Sequence, residues 1–326
     1  MMGPEPMARR ASGACSMRRI AVTRISLAVA DGLRAQGSVG TIESVYRSAI
    51  NIRWHGGLLT VAQESVGGLP NGVLVSSPMP LDRIGLAAEM AVRVDGANLV
   101  VPAASLSFTL GAATTWSAAM PMVPGLAPTD RAARADVALR FAAVHAPPIG
   151  LGPLIFRLVG GTVTGSRLCA SAAVCLASVL DAMRDGRPTT AVAAARPLIG
   201  LGPGATPSGD DLLVGFAAGL ATIDHPLARS FAAGVALEAC GRTTSLAEAF
   251  LAHAGRLEFA ERVHRAAVGV LDTDPIRMRA AVTGTLAWGA SSGADLLVGL
   301  LLGIQADAPG IGQRLRTSQA GEPVAA

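Results

Sequence analysis

The hydrophobic pattern of the chain changes its period once, and this change constrains the fold more than any other feature. Between residue 18 and about residue 110, apolar and polar residues alternate at period two, as at 38–46 and 48–54, which is typical of half-buried β-strands. After Gly111 the apolar residues recur at helical spacing. Because strands and helices are segregated along the chain, the pattern predicts an α+β fold, a small β-barrel or sandwich followed by a mainly helical domain.

The same pattern divides the chain into four parts. Residues 1–17 combine Pro, Ala, Ser, Gly and Arg without periodicity, and a disordered tail is expected there. The β-rich domain is predicted at 18–110 and the helical domain at 111–306, with an irregular glycine-rich stretch at 147–165. A frayed tail is expected at 307–326, because this stretch is polar and contains Gly and Pro.

The composition disfavours several classes of protein. The net charge of +4 comes from arginines that form no extended basic run, so nucleic-acid binding is not expected. The apolar runs are shorter than the roughly 20 residues of a membrane span, and no signal peptide or C-x-x-C pair is found. A cytoplasmic protein without a membrane segment is therefore expected. Only 15% of the residues are charged, which suggests a surface partly covered by partner subunits, although the codon bias of a GC-rich genome would have the same effect.

The most distinctive motif is a glycine-rich loop that leads into an apolar helix. Residues 200–215 read G-L-G-P-G-A-T-P-S-G-D-D-L-L-V-G. Glycines allow a ligand to approach the backbone closely, and the free N–H groups and positive dipole end of a helix start suit an anion such as phosphate or a carboxylate. The predicted anion-binding residues of this loop are Gly202, Gly204, Thr206, Ser208 and Gly209.

The end of this motif recurs 84 positions later, where residues 292–299 read S-G-A-D-L-L-V-G. Ser208 and Ser292 are predicted to be N-caps, with Asp211 and Asp295 as their capping-box partners three residues later. This interpretation makes the two segments a pair of capped core helices. The alternative is that Ser292 and Asp295 also contribute to a ligand site.

Asp210 is the acid that the second copy lacks, since Ala294 stands in its place. We therefore predict that folding does not need Asp210, and that Asp210 and Asp211 are catalytic, orienting a substrate amide or holding Mg²⁺ on a phosphate. The alternative for Asp210 is a solvated acid that the helix dipole favours. Mg²⁺ is the one candidate cofactor, and none is certain.

A second polar group consists of Arg242, Thr243, Thr244 and Ser245, just ahead of a predicted helix. Three consecutive hydroxyl groups beside a guanidinium could bind an oxyanion. The alternative is an N-cap at Thr244 or Ser245, with Glu248 completing a capping box, and this alternative leaves Arg242 unexplained.

The stretch G-P-G-A-T-P-S-G-D-D at 202–211 closely resembles the hallmark of a bacterial family long left as a domain of unknown function. Its best-known members are the AllH-type subunits of oxamate carbamoyltransferase in allantoin breakdown. The hydroxyl block at 243–245 and the Ser-Gly-x-Asp at 292–295 are similar to the family pattern, and the likeness runs from about residue 39 to residue 304.

The resemblance implies a carbamoyltransferase subunit of purine nitrogen catabolism that acts with other kinds of subunit on small anionic substrates. The implied reaction transfers a carbamoyl group between carbamoyl phosphate and oxamate, and its products are oxalurate and phosphate in the reverse of the catabolic direction. Two alternatives remain open, a non-catalytic assembly subunit and a phosphate- or carboxylate-binding enzyme that acts on another amide.

Overall fold

A computed structural model of the chain describes residues 17–163 and 166–316. In these residues one nine-stranded sheet precedes a mainly helical region, which confirms the predicted α+β fold. The expected disordered tail lies outside the described residues except for Met17, and so does the end of the chain from residue 317.

The strands all lie between residues 18 and 116. They are β1 (Arg18–Ser26), β2 (Val39–Val45), β3 (Ala49–Trp54), β4 (Gly57–Gln63), β5 (Gly72–Ser76), β6 (Ala91–Asp95), β7 (Asn98–Val101), β8 (Leu106–Thr109) and β9 (Thr114–Trp116). The first eight close into a barrel in the order β5-β4-β3-β2-β6-β7-β8-β1, because β1 pairs back with β5. The short β9 pairs in parallel with the second half of β1, so the β region extends beyond the expected boundary at residue 110.

Tight turns join the hairpins of the barrel. His55 and Gly56 link β3 to β4, and their φ angles of 47° and 77° are those that a type I′ turn requires. Alternate side chains of the strands fill the barrel, among them Ile42 and Phe108, which are fully buried. Outward-facing residues such as Leu74 instead join the core of the helical region, so one side of the barrel packs against the helices.

Among the described residues, one short helix follows β1, and all the other helices lie in the region from residue 128 onward. They are α1 (Leu27–Ala30), α2 (Pro128–His145), α3 (Pro153–Leu158), α4 (Arg167–Arg184), α5 (Pro188–Ala195), α6 (Ser208–Thr222), α7 (Ala228–Ala239), α8 (Ser245–Ala254), α9 (Glu261–Val270), α10 (Pro275–Leu286), α11 (Ser292–Ile304) and α12 (Ile311–Arg316). Within residues 17–163 and 166–316, no helix has both the length and the apolar character needed to cross a membrane.

Two of these helices lie where irregular chain was expected. The glycine-rich stretch at 147–165 contains α3, and the expected frayed tail contains α12, whose Ile311 and Leu315 are buried. Each helix has six residues, which is less than two turns and too short to show a helical period in the sequence. Their packing in the helical core stabilises them instead.

The two helices of the repeated motif, α6 and α11, pack against each other through glycines. Gly215 of α6 faces the carbonyl oxygen of Leu296, and Gly219, one turn later, faces that of Leu300. Because the contacting residue numbers rise together, the two helices are parallel and their N-termini lie side by side. The predicted pair of core helices is therefore present, and both of its positive dipole ends point to one place.

Candidate functional site

The serines of the repeated motif do not cap their helices, so the predicted capping boxes are wrong. The N-cap residues are Pro207 for α6 and Ser291 for α11, and neither makes a side-chain capping bond. Ser208 and Ser292 are instead the first residues with helical structure. This shift of one residue turns both hydroxyl groups away from their own helix end and toward the neighbouring helix.

Each serine hydrogen-bonds to the acid of the opposite helix. The hydroxyl of Ser208 donates to Asp295, and that of Ser292 donates to Asp211. Thr206, in the loop before α6, also bonds to Asp211, and its hydroxyl lies 3.1 Å from that of Ser292. The sequence repeat thus brings its two copies together as one cluster of hydroxyl and carboxyl groups between two helix starts.

The two acids of this cluster have different surroundings. Asp295 is fully buried and accepts a 2.6 Å hydrogen bond from the N–H of Leu151. Asp211 instead faces a cavity, although each of the two acids has one carboxyl oxygen without a hydrogen-bond partner among the described residues. Burial raises the pKa of Asp211 to about 8, and the nearby carboxyl groups of Asp295 and Asp210 add to this rise. At neutral pH Asp211 therefore carries a proton that it can donate.

The cavity in front of Asp211 lies between the barrel and the helices and encloses about 250 Å³. On the helix side Thr206 and Ser292 accompany Asp211, and on the barrel side Asn51 accepts a 2.9 Å hydrogen bond from Thr60. The walls between these polar ends are mainly apolar. They include Val66, Leu69, Val214, Leu246, Phe250, Phe259, Val263, Trp288 and Leu296.

The cavity has polar groups but lacks a cation. Among the described residues that line it none is an arginine or a histidine, and its ionisable groups are Tyr46, Asp211 and Glu258. Glu258 is already paired with Arg256 at 3.1 Å and bonded to His253. The cavity itself is therefore suited to an uncharged group such as an amide. The charge of an anionic substrate must be balanced by groups at the edge of the cavity.

Asp210 is buried and turned to a different partner from Asp211. Its carboxylate accepts hydrogen bonds from the N–H of Gly200 at 3.0 Å and from the hydroxyl of Thr243, and it does not line the cavity. Burial raises its pKa, and these two bonds oppose the rise. The interpretation as a solvated acid is wrong, because the side chain is buried and bonded on both sides. Whether folding needs Asp210 stays a prediction, and these two bonds make us expect that it does.

The consecutive acids do not meet at a shared metal site. Asp210 holds the glycine loop to the segment before α8, while Asp211 bonds to Thr206 and Ser292. Within the described parts of the chain, no group of three or more His, Cys, Asp or Glu side chains could hold a metal ion. The Mg²⁺ suggested by the sequence has no support from this pair of acids.

We expect Asp210→Ala to lower the free energy of unfolding by about 1–3 kcal/mol, because it leaves the partly buried N–H of Gly200 and the hydroxyl of Thr243 without their acceptor. Urea unfolding followed by circular dichroism measures the loss. Asp31→Ala is the control, since the side chain of Asp31 is 97% exposed and its loss should change stability by less than about 0.5 kcal/mol. Equal stability of the two variants would show that Asp210 does not hold the loop.

The glycine loop presents free backbone donors beside the cluster. Within the described residues, the N–H groups of Gly202, Gly204, Ala205 and Thr206 have no protein acceptor. Gly202 and Gly204 have φ angles of 107° and 108°, which residues with a side chain rarely adopt. By contrast, Gly209 is packed against backbone, and its N–H bonds to Leu201. Anion binding by the loop remains a prediction, without Gly209 as a donor.

Arg242 lies away from the cavity. Its side chain is exposed, and its guanidinium lies 3.7 Å from the carboxylate of Glu238, four residues earlier in the chain. Its carbonyl oxygen, rather than its charge, contacts the glycine loop, since a Cβ on Gly200 would lie 2.8 Å from that oxygen. Its proposed contact with a substrate anion remains a prediction.

The hydroxyl groups after Arg242 serve the structure. Thr244 is the N-cap of α8, accepting a 3.2 Å bond from the N–H of Ala247, and it also donates to the carbonyl of Ala205. Ser245 donates to Glu43 of the barrel. The cap at Thr244 is thus confirmed, and the same hydroxyl fixes the glycine loop.

Asn51 and Thr60 are cavity residues that the sequence analysis missed. They occupy facing positions on β3 and β4, in register across the pair. Both are polar residues between apolar neighbours, at 49–52 and 58–62, and both are buried. A polar residue inside an apolar strand is the signal that could have indicated them.

Two family models match the chain, and their ranges coincide with the two halves of the cavity. The model described as the AllH family N-terminal domain matches residues 20–115, which form the barrel. The model described as oxamate carbamoyltransferase subunit AllH matches residues 198–304, which include the glycine loop and both helices of the repeated motif. No match was found among curated proteins or among solved structures.

Proposed function

Because the chain belongs to the family of AllH-type oxamate carbamoyltransferase subunits, we propose that it is a catalytic subunit of a hetero-oligomeric carbamoyltransferase. The proposed reaction converts oxalurate and phosphate to oxamate and carbamoyl phosphate, in the cytoplasmic breakdown of allantoin and purine nitrogen. The observation that supports a catalytic role is the carboxyl group of Asp211, which has an unpartnered oxygen and faces the cavity between the two matched regions.

The proposed reaction needs a proton transfer that Asp211 can perform. A phosphate oxygen forms a bond to the carbamoyl carbon, and the bond from this carbon to the nitrogen of oxamate breaks. The leaving nitrogen must gain a proton, and monohydrogen phosphate must lose one. With its pKa raised to about 8, Asp211 donates the first proton from its protonated form and accepts the second as a carboxylate.

In this proposal the charged groups of the substrates bind at the edge of the cavity. The free N–H groups of the loop from Gly202 to Thr206 and the paired starts of α6 and α11 provide positive potential there. The uncharged carbamoyl group would occupy the cavity, whose polar lining on the barrel side includes Asn51 and Thr60. In this proposal Asp210 is a positioning residue that holds the loop, and Asp211 is the catalytic acid.

The test is to combine the purified chain with candidate partner subunits and to follow the phosphorolysis of oxalurate. We expect activity in the assembled complex, and we expect Asp211→Asn to lower kcat by about 10²-fold or more, since Asn keeps the shape but cannot transfer a proton. Asp31→Asn is the matched control and should keep full activity. Light scattering of each variant with its partners verifies that assembly is unchanged.

The assembly alternative predicts a different outcome of the same experiment. Several apolar side chains on the helices are strongly exposed, among them Val144 and Leu237 at 79% and Ile276 at 76%, and such residues favour contact with other subunits. Full activity of the Asp211→Asn complex would rule out Asp211 as the catalytic acid and would favour the assembly role of this chain.

A further inference from the structure

A second concave surface shares Trp288 with the cavity. This surface, here called the arginine groove, lies between α9 and α10 and encloses about 780 Å³. Small residues such as Gly269 and Ala281 form part of its lining, and Arg262, Arg265 and Arg277 contribute their side chains to it. It is separate from the glycine loop, none of whose residues lines it.

Two arginines of the groove lack a counter-ion. Arg277 is neutralised, because its guanidinium lies 3.7 Å from Asp272 and 3.6 Å from Asp274. Arg262 and Arg265 form no ion pair with any residue that the structure describes. They are three positions apart on α9 and therefore lie on the same side of this helix.

The nearest acid does not neutralise this pair. Glu261 influences Arg265 electrostatically, but its carboxylate is bonded to the guanidinium of Arg24 and to the N–H of Gly68 at 2.8 Å. Arg24 and Arg265 thus share one carboxylate, Arg262 has none, and the groove keeps an excess of positive charge. The other titratable lining residue, His264, is hydrogen-bonded to a backbone carbonyl, and burial lowers its pKa, so it is neutral at pH 7.

Two contacts hold the guanidinium of Arg262 in place, although the like charge of Arg265 is nearby. Its guanidinium lies 5.1 Å from the centre of the Trp288 ring, and one of its nitrogens donates a 3.2 Å hydrogen bond to the carbonyl of Ser65. Burial and the charge of Arg265 lower the pKa of Arg262. Two adjacent cations, one of them fixed by its contacts, form a preorganised site whose repulsion a bound anion would relieve.

We propose that Arg262 and Arg265 bind a phosphate-type oxyanion in the arginine groove, at a site distinct from the Asp211 cavity and the glycine loop. The donors of two guanidinium groups match the oxygens of a phosphate, and their combined charge matches its charge of about −2. The site does not depend on the proposed reaction. An anion held against Trp288 contacts a wall of the cavity, so the two sites share one side chain.

The experiment is a calorimetric titration of the isolated chain with inorganic phosphate, in buffer whose ionic strength is kept constant with chloride. We expect Arg265→Gln to weaken binding about tenfold or more, because it removes one of the two charges. Arg229→Gln is the matched control, since Arg229 is an exposed arginine of α7 outside the groove, and it should leave the affinity unchanged. Arg262→Lys, which keeps the charge but loses the planar fork, should weaken binding less than Arg265→Gln.

Two outcomes would overturn the proposal. One is the absence of phosphate binding by the unaltered chain, and the other is equal affinity and stoichiometry in the Arg265→Gln variant, which would place any bound phosphate at the glycine loop. Circular dichroism of each variant verifies folding, which the exposed position of Arg265 should preserve. Because the titration measures binding without turnover, its result is independent of whether oxalurate is a substrate.

Discussion

Replacing Gly215 with Ala should lower the free energy of unfolding by about 3 kcal/mol or more. A Cβ at this position would lie 2.0 Å from the carbonyl oxygen of Leu296 and 3.0 Å from the backbone nitrogen of Leu300. Both atoms belong to the backbone of α11, so no side chain can rotate away and the two helices must separate. Gly299→Ala should have a similar effect, because its Cβ would lie 1.9 Å from the carbonyl oxygen of Leu212.

The matched control is Gly284→Ala, another glycine inside a helix. A Cβ on Gly284 meets no atom within 4 Å, so this change should stabilise α10 by about 0.5–1 kcal/mol through the higher helix propensity of Ala. Urea unfolding of the three variants gives the comparison. Similar stabilities for Gly215→Ala and Gly284→Ala would mean that α6 and α11 do not pack through their backbones.

The second large effect is a stabilising one, from Asp211→Asn. The pKa of Asp211 is about 8 in the folded chain and about 4 in the unfolded chain, so the folded state holds this proton more tightly. The contribution of this tightly held proton to the free energy of unfolding is fully present below about pH 4 and is lost as the pH rises through 8. Since Asn does not titrate, the stability of the variant relative to the unaltered chain should rise by about 1–3 kcal/mol between pH 5 and pH 8.

The measurement is urea unfolding of both proteins at several values between pH 5 and pH 8. Asp31→Asn serves as the reference, because its exposed carboxylate should give a difference that does not change with pH. A difference for Asp211→Asn that is equally constant would mean that the carboxyl group is already ionised at pH 5. In that case the proton-donor role proposed for the active complex would lose its basis.

The sequence was most informative where a pattern extends over several turns or strands. The change from period two to helical spacing predicted the two regions correctly, and the alternating segments at 38–46 and 48–54 contain β2 and β3. The short elements α3, α12 and β9 were not, because three to six residues are too few to show a period. These elements depend on packing with partners distant in the sequence.

The candidate site shows why spacing along the chain was not sufficient. Consecutive helical residues differ in direction by about 100°, so Asp210 and Asp211 cannot both face the same partner. With the helix starting at Ser208, Asp210 turns toward Thr243 and Asp211 toward the cavity. The sequence comparison with Ala294 distinguished the two acids. The acid that it treated as unnecessary for folding, Asp210, is the one bonded to both Gly200 and Thr243.

By itself the sequence determined the α+β order, the family pattern and the existence of two similar helix starts. Only the tertiary structure decided that these starts lie side by side, because the parallel packing of α6 and α11 depends on backbone contacts between residues 84 positions apart. In the same packing, each of Asp211 and Asp295 bonds to the serine of the opposite helix, and only Asp211 faces the cavity next to the barrel. A hydrogen bond and a pKa depend on distances in space, and the spacing of residues along a chain does not fix those distances.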